Sequence, residues 1–165
     1  MKSSWLIAGL IALGLSACGP DRAAVTSAAM DEGLAFLATN AKAQGVVTLP
    51  SGLQYKIVKS GPADGIKPIP GDEVKVNYEG KLISGKVFDS SYQRGVPAAL
   101  PLDALVPGWI EALQLMRPGD AWLLYVPANL AYGENGAGEI PPGSTLIFKI
   151  ELLGVLPGPG HRQQG

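Results

Sequence analysis

The sequence predicts an α+β fold built on an antiparallel sheet, and three observations predict it. Apolar residues recur with a period of two in several stretches after residue 53, with polar residues between them, as in strands that bury one face and wet the other. Gly (22) and Pro (14) together reach about twice their usual share of a 165-residue chain, which suits turns and short elements rather than a helix bundle. No strand alternates with a long helix in the way a parallel sheet requires. Hydrophobic residues make up 47% of the chain against 16% charged, enough for a real core and too apolar for wholesale disorder.

Met1-Lys2, the uncharged run from Trp5 to Leu15 and the small residues before Cys18 are the three parts of a secretory signal over residues 1–17. The run is too short to span a bilayer of about 30 Å. Two readings of the lone Cys18 stand: an incidental thiol after an ordinary cleavage site, or a lipid attachment site. Leu15-Ser16-Ala17-Cys18 resembles a bacterial lipobox, which implies diacylglyceryl transfer to the Cys18 thiol, and Gly19 after it implies sorting to the outer membrane. Residues 18–27 are then a lipidated tether, and residues 28–45 hold an N-terminal helix. Met30, Leu34, Leu37 and Ala41 form one stripe at helical spacing, with Ser27 as N-cap and Gly45 as terminator. That stripe fits packing on the chain's own domain or a dimer seam.

A strand follows at Leu53, Tyr55 and Ile57. In the next, Val74, Val76, Tyr78 and Leu82 face one way and Glu73, Lys75, Asn77, Glu79 and Lys81 the other. Ile83-Ser84-Gly85 turns into a partner strand at Lys86-Val87-Phe88. Pro107 opens a short helix through Trp109, Ile110 and Leu113 that stops near Pro118-Gly119. Residues 121–126 form a short apolar strand, and in residues 144–153 Leu146, Phe148, Ile150 and Leu152 alternate with polar neighbours. Residues 154–165, mostly Gly, Pro and polar, are expected to be a disordered tail that contains His161.

A net charge of −1 offers no surplus for holding a nucleic-acid backbone, and one Cys with one His excludes a Cys/His zinc site and a disulfide framework. Nucleophilic catalysis lacks a positioned histidine base. Residues 80–86 nearly match a phosphate-binding loop, but Val87 stands where Ser or Thr must bind Mg²⁺ and the glycines flank a hairpin turn. No metal and no cofactor is expected. An apolar, aromatic cavity with a few fixed polar groups remains.

Asn77-Tyr78-Glu79-Gly80, Val87-Phe88-Asp89-Ser90-Ser91, Val106-Pro107-Gly108-Trp109, Leu130-Ala131-Tyr132-Gly133, Ile140-Pro141-Pro142 and Leu146-Ile147-Phe148 occur in that order. The series resembles the successive signatures of FKBP-type peptidyl-prolyl cis–trans isomerases over residues 46–153. The lead-in, from Gly33-Leu34-Ala35-Phe36-Leu37 to Gly52-Leu53-Gln54-Tyr55, resembles the macrophage infectivity potentiator branch. The resemblance implies an antiparallel sheet curled around a short α-helix, preceded here by one N-terminal helix. It implies acceleration of X–Pro bond rotation during folding of envelope proteins, with proline-containing polypeptides as substrates and macrolides such as rapamycin as inhibitors. It assigns Trp109 as pocket floor, Tyr78, Phe88 and Phe148 as walls, and Leu105 and Val106 as one side, the Val106 N–H binding a substrate carbonyl. It assigns the Tyr132 hydroxyl to the carbonyl before proline, Ile140 to the rim, and Asp89 to a polar edge held by Tyr78 and Arg94. Ala98 stands where many members carry an aromatic, so weaker macrolide binding is expected. With one short helix before the domain, a monomer is expected, lipid-anchored on the periplasmic side of the outer membrane. A non-catalytic chaperone or a docking lipoprotein using the same pocket is the alternative.

Overall fold

The computed structural model describes residues 21–159. The signal at 1–17, Cys18 and His161 lie outside the described residues. Helix α1 (Arg22–Asn40) leads into strands β1 (Val46–Thr48), β2 (Gln54–Lys59), β3 (Glu73–Leu82) and β4 (Val87–Ser90). A one-turn helix α2 (Ser91–Arg94), strand β5 (Ala98–Pro101), helix α3 (Pro107–Leu113) and strands β6 (Ala121–Val126) and β7 (Leu146–Leu156) complete the order. One seven-stranded sheet runs β1-β2-β6-β7-β3-β4, with β5 also paired to β3, and every pairing is antiparallel.

The alternation read in β3, β6 and β7 is the alternation that packs. Val74, Val76, Trp122, Leu124, Val126, Leu146, Phe148, Ile150 and Leu152 share one core with Trp109, Ala112 and Leu113 of α3. The sheet therefore closes over α3, whose first turn starts at Pro107, where a missing N–H costs nothing. Gly108 is required there, because a Cβ would lie 2.6 Å from Val126 Cγ1 and push the helix off β6.

The structure differs from the sequence reading along α1, in β2, at the end of α3 and after β7. Helix α1 begins at Arg22, not 28: Asp21, not Ser27, is the N-cap, accepting from the Ala23 N–H at 3.2 Å, and nothing in residues 22–27 breaks a helix. The helix ends at Asn40, and Gly45 turns the chain later, ahead of β1. The buried face of α1 is Thr26, Gly33 and Leu37, while Leu34 of the expected stripe is 64% exposed. A stripe read from apolar residues alone misses a face made by small and hydrogen-bonded residues: the Thr26 hydroxyl donates to Arg22 O, and Asn40 Nδ2 donates to Gln54 Oε1 at 2.8 Å. For the same reason Gln54, the polar residue between Leu53 and Tyr55, is buried beneath α1, whereas Ile57 is 48% exposed. Helix α3 stops at Leu113, ahead of the Pro118-Gly119 turn. Finally, β7 runs on to Leu156, and Asp72 Oδ1 accepts from the Gly158 N–H at 2.8 Å, so residues 154–159 are ordered against the domain rather than a free tail.

Candidate active site

Four elements converge on one cavity of about 210 Å³. Helix α3 supplies Trp109, β7 supplies Phe148, β3 supplies Tyr78, and β4 supplies Phe88 and Asp89. Trp109 is 4% exposed and forms the floor, held between two rings at right angles. Tyr78 and Phe148 each stand 5.2 Å from its centroid, at 84° and 88°, and Phe88 meets Phe148 edge-to-face at 5.7 Å. Such edge-to-face pairs add about 0.5–1.5 kcal/mol each beyond area burial, so the walls are fixed before a ligand arrives. The buried Trp109 N–H has no hydrogen-bond partner among the described residues.

Gly80 makes room for the walls. A Cβ there would stand 2.6 Å from Phe88 Cζ and 2.7 Å from Phe148 Cε1, so the two phenyl rings lie directly on the β3 backbone. Ser91, fully buried at the start of α2, accepts from the Tyr78 N–H at 2.8 Å and fixes the strand where that ring leaves it. Ser90 caps α2 by accepting from the Gln93 N–H.

The polar edge is a three-membered network. The Tyr78 hydroxyl donates to Asp89 Oδ2, Arg94 Nη1 donates to Asp89 Oδ1, and Arg94 Nη2 donates to the Tyr78 hydroxyl oxygen at 2.9 Å. Burial pushes the Tyr78 hydroxyl above its ordinary value, and the Asp89 hydrogen bond pushes it further, with Arg94 opposing. Burial pushes Asp89 up, but the hydrogen bonds from Tyr78 and Arg94, the Arg94 charge and the Ser90 backbone together leave the carboxyl below its usual range. Tyr78 therefore stays protonated and Asp89 ionised across neutral pH.

The cavity is completed by Leu105, Val106 and Tyr132, so eight of the ten pocket residues named from the sequence meet here. Arg94 stands behind Asp89 and does not line the cavity. Ile140 is 8% exposed, packed into the core beneath its loop instead of on the rim. Leu100 and Ala104 line the cavity and were missed, since neither residue type carries a chemical signal. Ala98 packs on the core in register with Val76, on the face that Leu100 shares two residues further along β5. The Val106 N–H and the Tyr132 hydroxyl make no hydrogen bond among the described residues, so both donors are available at the cavity. A wider concavity of about 640 Å³ lies between the first turns of α1 and Glu134-Asn135. It is lined mostly by exposed polar residues and no ring faces it, so it lacks the chemistry of the aromatic cavity.

The family profile described as "FKBP-type peptidyl-prolyl cis-trans isomerase" matches residues 64–153. The chain belongs to that family. A second profile, "Domain amino terminal to FKBP-type peptidyl-prolyl isomerase", matches residues 19–57, which include α1. The chain is 55% identical over 122 residues to "Peptidyl-prolyl cis-trans isomerase Mip" of Coxiella burnetii, covering 73% of this chain and 52% of that protein. It is 51% identical over 125 residues to "Outer membrane protein MIP" of Legionella longbeachae, covering 75% and 53%. The chain thus spans about half the length of these curated relatives. The crystal structure of FkpA from Escherichia coli superposes with a TM-score of 0.80 at 42% identity, over 84% of this chain and 64% of that one. The FKBP fold places Trp109 within the curled sheet, in direct ring contact with Tyr78 and Phe148 and, through Phe148, with Phe88.

Proposed function

We propose that this chain accelerates cis–trans rotation about X–Pro bonds in polypeptides. The observation that carries the reading is the ring-walled cavity over Trp109, dry at its floor and fringed by two available donors, the Val106 N–H and the Tyr132 hydroxyl. Rotation about X–Pro faces a barrier of about 18–20 kcal/mol because the planar amide is resonance-stabilised. At the twisted transition state that resonance is lost and the amide is less polar. An apolar pocket that takes the proline ring favours the twist over the plane. About 8 kcal/mol of such preference corresponds to roughly a million-fold acceleration. No proton moves and no covalent bond forms, in keeping with an ionised Asp89 and a protonated Tyr78 that orient without exchanging their proton.

In this reading the proline ring stacks on Trp109 between Tyr78, Phe88 and Phe148. Val106 N–H and Tyr132 Oη hold the flanking carbonyls, Leu105 closes one side, and Arg94 acts by holding Asp89. Ile140 anchors the Tyr132 loop from below. The rings and donors of the cavity all belong to this chain, so in this reading one copy carries out the reaction. Macrolides such as rapamycin, which present a proline-like ring, would compete for it. Lipidation at Cys18 would hold the domain on the periplasmic side of the outer membrane; the lipobox-like sequence and a relative named an outer membrane protein support this. Intact mass of membrane-derived protein is expected to show a lipid-modified Cys18, and an unmodified thiol would remove the anchor.

The isomerase reading is tested by exchange spectroscopy on a panel of short X–Pro peptides. Faster cis-to-trans exchange with the wild-type chain is expected in at least one sequence context. Exchange at the uncatalysed rate in every peptide would overturn it.

A further inference from the structure

Helix α1 lines no part of the aromatic cavity, yet it bears on the base of the loop that carries Tyr132. That loop, residues 132–143, is closed at its base by the Gly143 N–H donating to Gly133 O at 2.9 Å. Its far end is tied by Ala137 and Ile140, which exchange N–H···O bonds at 3.0 and 2.8 Å. The helix touches the base at two points. A Cβ on Gly143 would lie 2.6 Å from Thr26 O and 3.1 Å from Met30 Cγ. A Cβ on Gly33 would overlap Thr145 Oγ1 and stand 3.0 Å from Thr145 Cβ, two residues past that base. Thr26 and Gly33 are two helical turns apart and so share one face of α1. At its other end the helix is clasped to β2, where Gln54 Nε2 donates to Leu37 O at 2.9 Å. Glycine inside a helix weakens it, and at position 33 the close approach to Thr145 accounts for its presence.

We propose that α1 is a brace for the 132–143 loop. Through Gly33 and Met30 it fixes the resting position of that loop, and so where the Tyr132 hydroxyl stands over the cavity. Gly33 and Met30 are positioning residues in this account. The consequence for catalysis rests on the isomerase reading; the consequence for the loop does not.

Two variants of the full chain test it. Gly33→Ala inserts a methyl against Thr145 and lifts the helix, while Met30→Ala removes the contact at Gly143 without a clash. Alanine is the better helix former, so a role confined to helix stability predicts a loop no looser than wild type in Gly33→Ala. The brace predicts that the Ala137, Ile140 and Gly143 amides exchange with solvent on the order of tenfold faster in both variants, with the β6–β7 amides unchanged. It also predicts that Gly33→Ala lowers kcat/KM on an X–Pro peptide about three- to fivefold, and adds little once Tyr132→Phe is present. Replacing Thr145 by Ala should recover part of the Gly33→Ala loss. Wild-type amide exchange in the loop of both variants would overturn the brace, and so would independent, multiplying losses from Gly33→Ala and Tyr132→Phe. An inactive wild type would instead overturn the isomerase reading and leave amide exchange to decide the brace.

Discussion

The floor and the rim of the cavity are built by different physics. The floor, Trp109 and Phe148, is 4% exposed at each residue and continuous with the core through Leu124 and Ile150. The rim, by contrast, is wet: the Asp89 and Arg94 side chains are 40% and 46% exposed, and Tyr132 is 40% exposed. Floor residues hold the fold and the pocket with the same atoms, so they cannot be changed for one purpose alone. Asp89 and Arg94 of the rim are held by hydrogen bonds in partial contact with water, where an ion pair stabilises little. A fold of this kind can therefore vary its selectivity at the edge while its centre stays fixed.

The largest expected effect is at the floor. Trp109→Ala should cost about 3–5 kcal/mol of stability as well as most of the activity, read by chemical denaturation beside peptide kinetics. A stable, inactive variant would show that the floor is separable from the core. Phe88 sits between the two regimes, half-buried on the wall. Phe88→Ala should cost about 2 kcal/mol, less than full burial implies, and lower kcat/KM by at least tenfold.

The rim is expected to separate the two quantities. Asp89→Asn should leave the denaturation midpoint close to wild type and lower kcat/KM by about three- to tenfold. The pH profile sharpens the point. The folded-state pKa of Asp89 is lowered, so its contribution is complete above the ordinary value of 3.8 and is lost as pH falls through the lowered native value. That of Tyr78 is raised, so its contribution is complete below the ordinary value of 10.0 and is lost as pH rises through the raised native value. Activity should be flat between about pH 5 and pH 9, and a step near neutrality would mean that another group governs the rim. The smallest effect is at Ala98. Ala98→Phe would extend the face shared with Leu100 and tighten rapamycin binding several-fold, about 1 kcal/mol, in calorimetry. Unchanged affinity would place position 98 outside the rim.

The strand faces around the cavity were legible in the sequence, whereas Trp109 as its floor came from family resemblance. Period-two alternation in β3 and β7 put Tyr78 and Phe148 on the inner face without any structure, because a strand buried on one side must alternate. The roles of Asp89, Arg94 and Tyr132 came from family resemblance, since no local pattern marks a tyrosine in a loop as a donor to a substrate carbonyl. Leu100 and β5 went unread: Ala-Ala-Leu-Pro is too short and too small to show a period. The buried side of α1 was misread because it is made by Thr26, Gly33, Leu37 and a clasp to Gln54. Close approach through glycine and paired polar groups is invisible to a hydrophobicity pattern.

The most direct test of the account is cis-to-trans exchange of one X–Pro peptide, measured with the wild-type chain alone and with saturating rapamycin. Exchange well above the uncatalysed rate is expected, returning to that rate when the macrolide fills the cavity over Trp109. Acceleration that persists at saturation would place the reaction elsewhere on the molecule and contradict it.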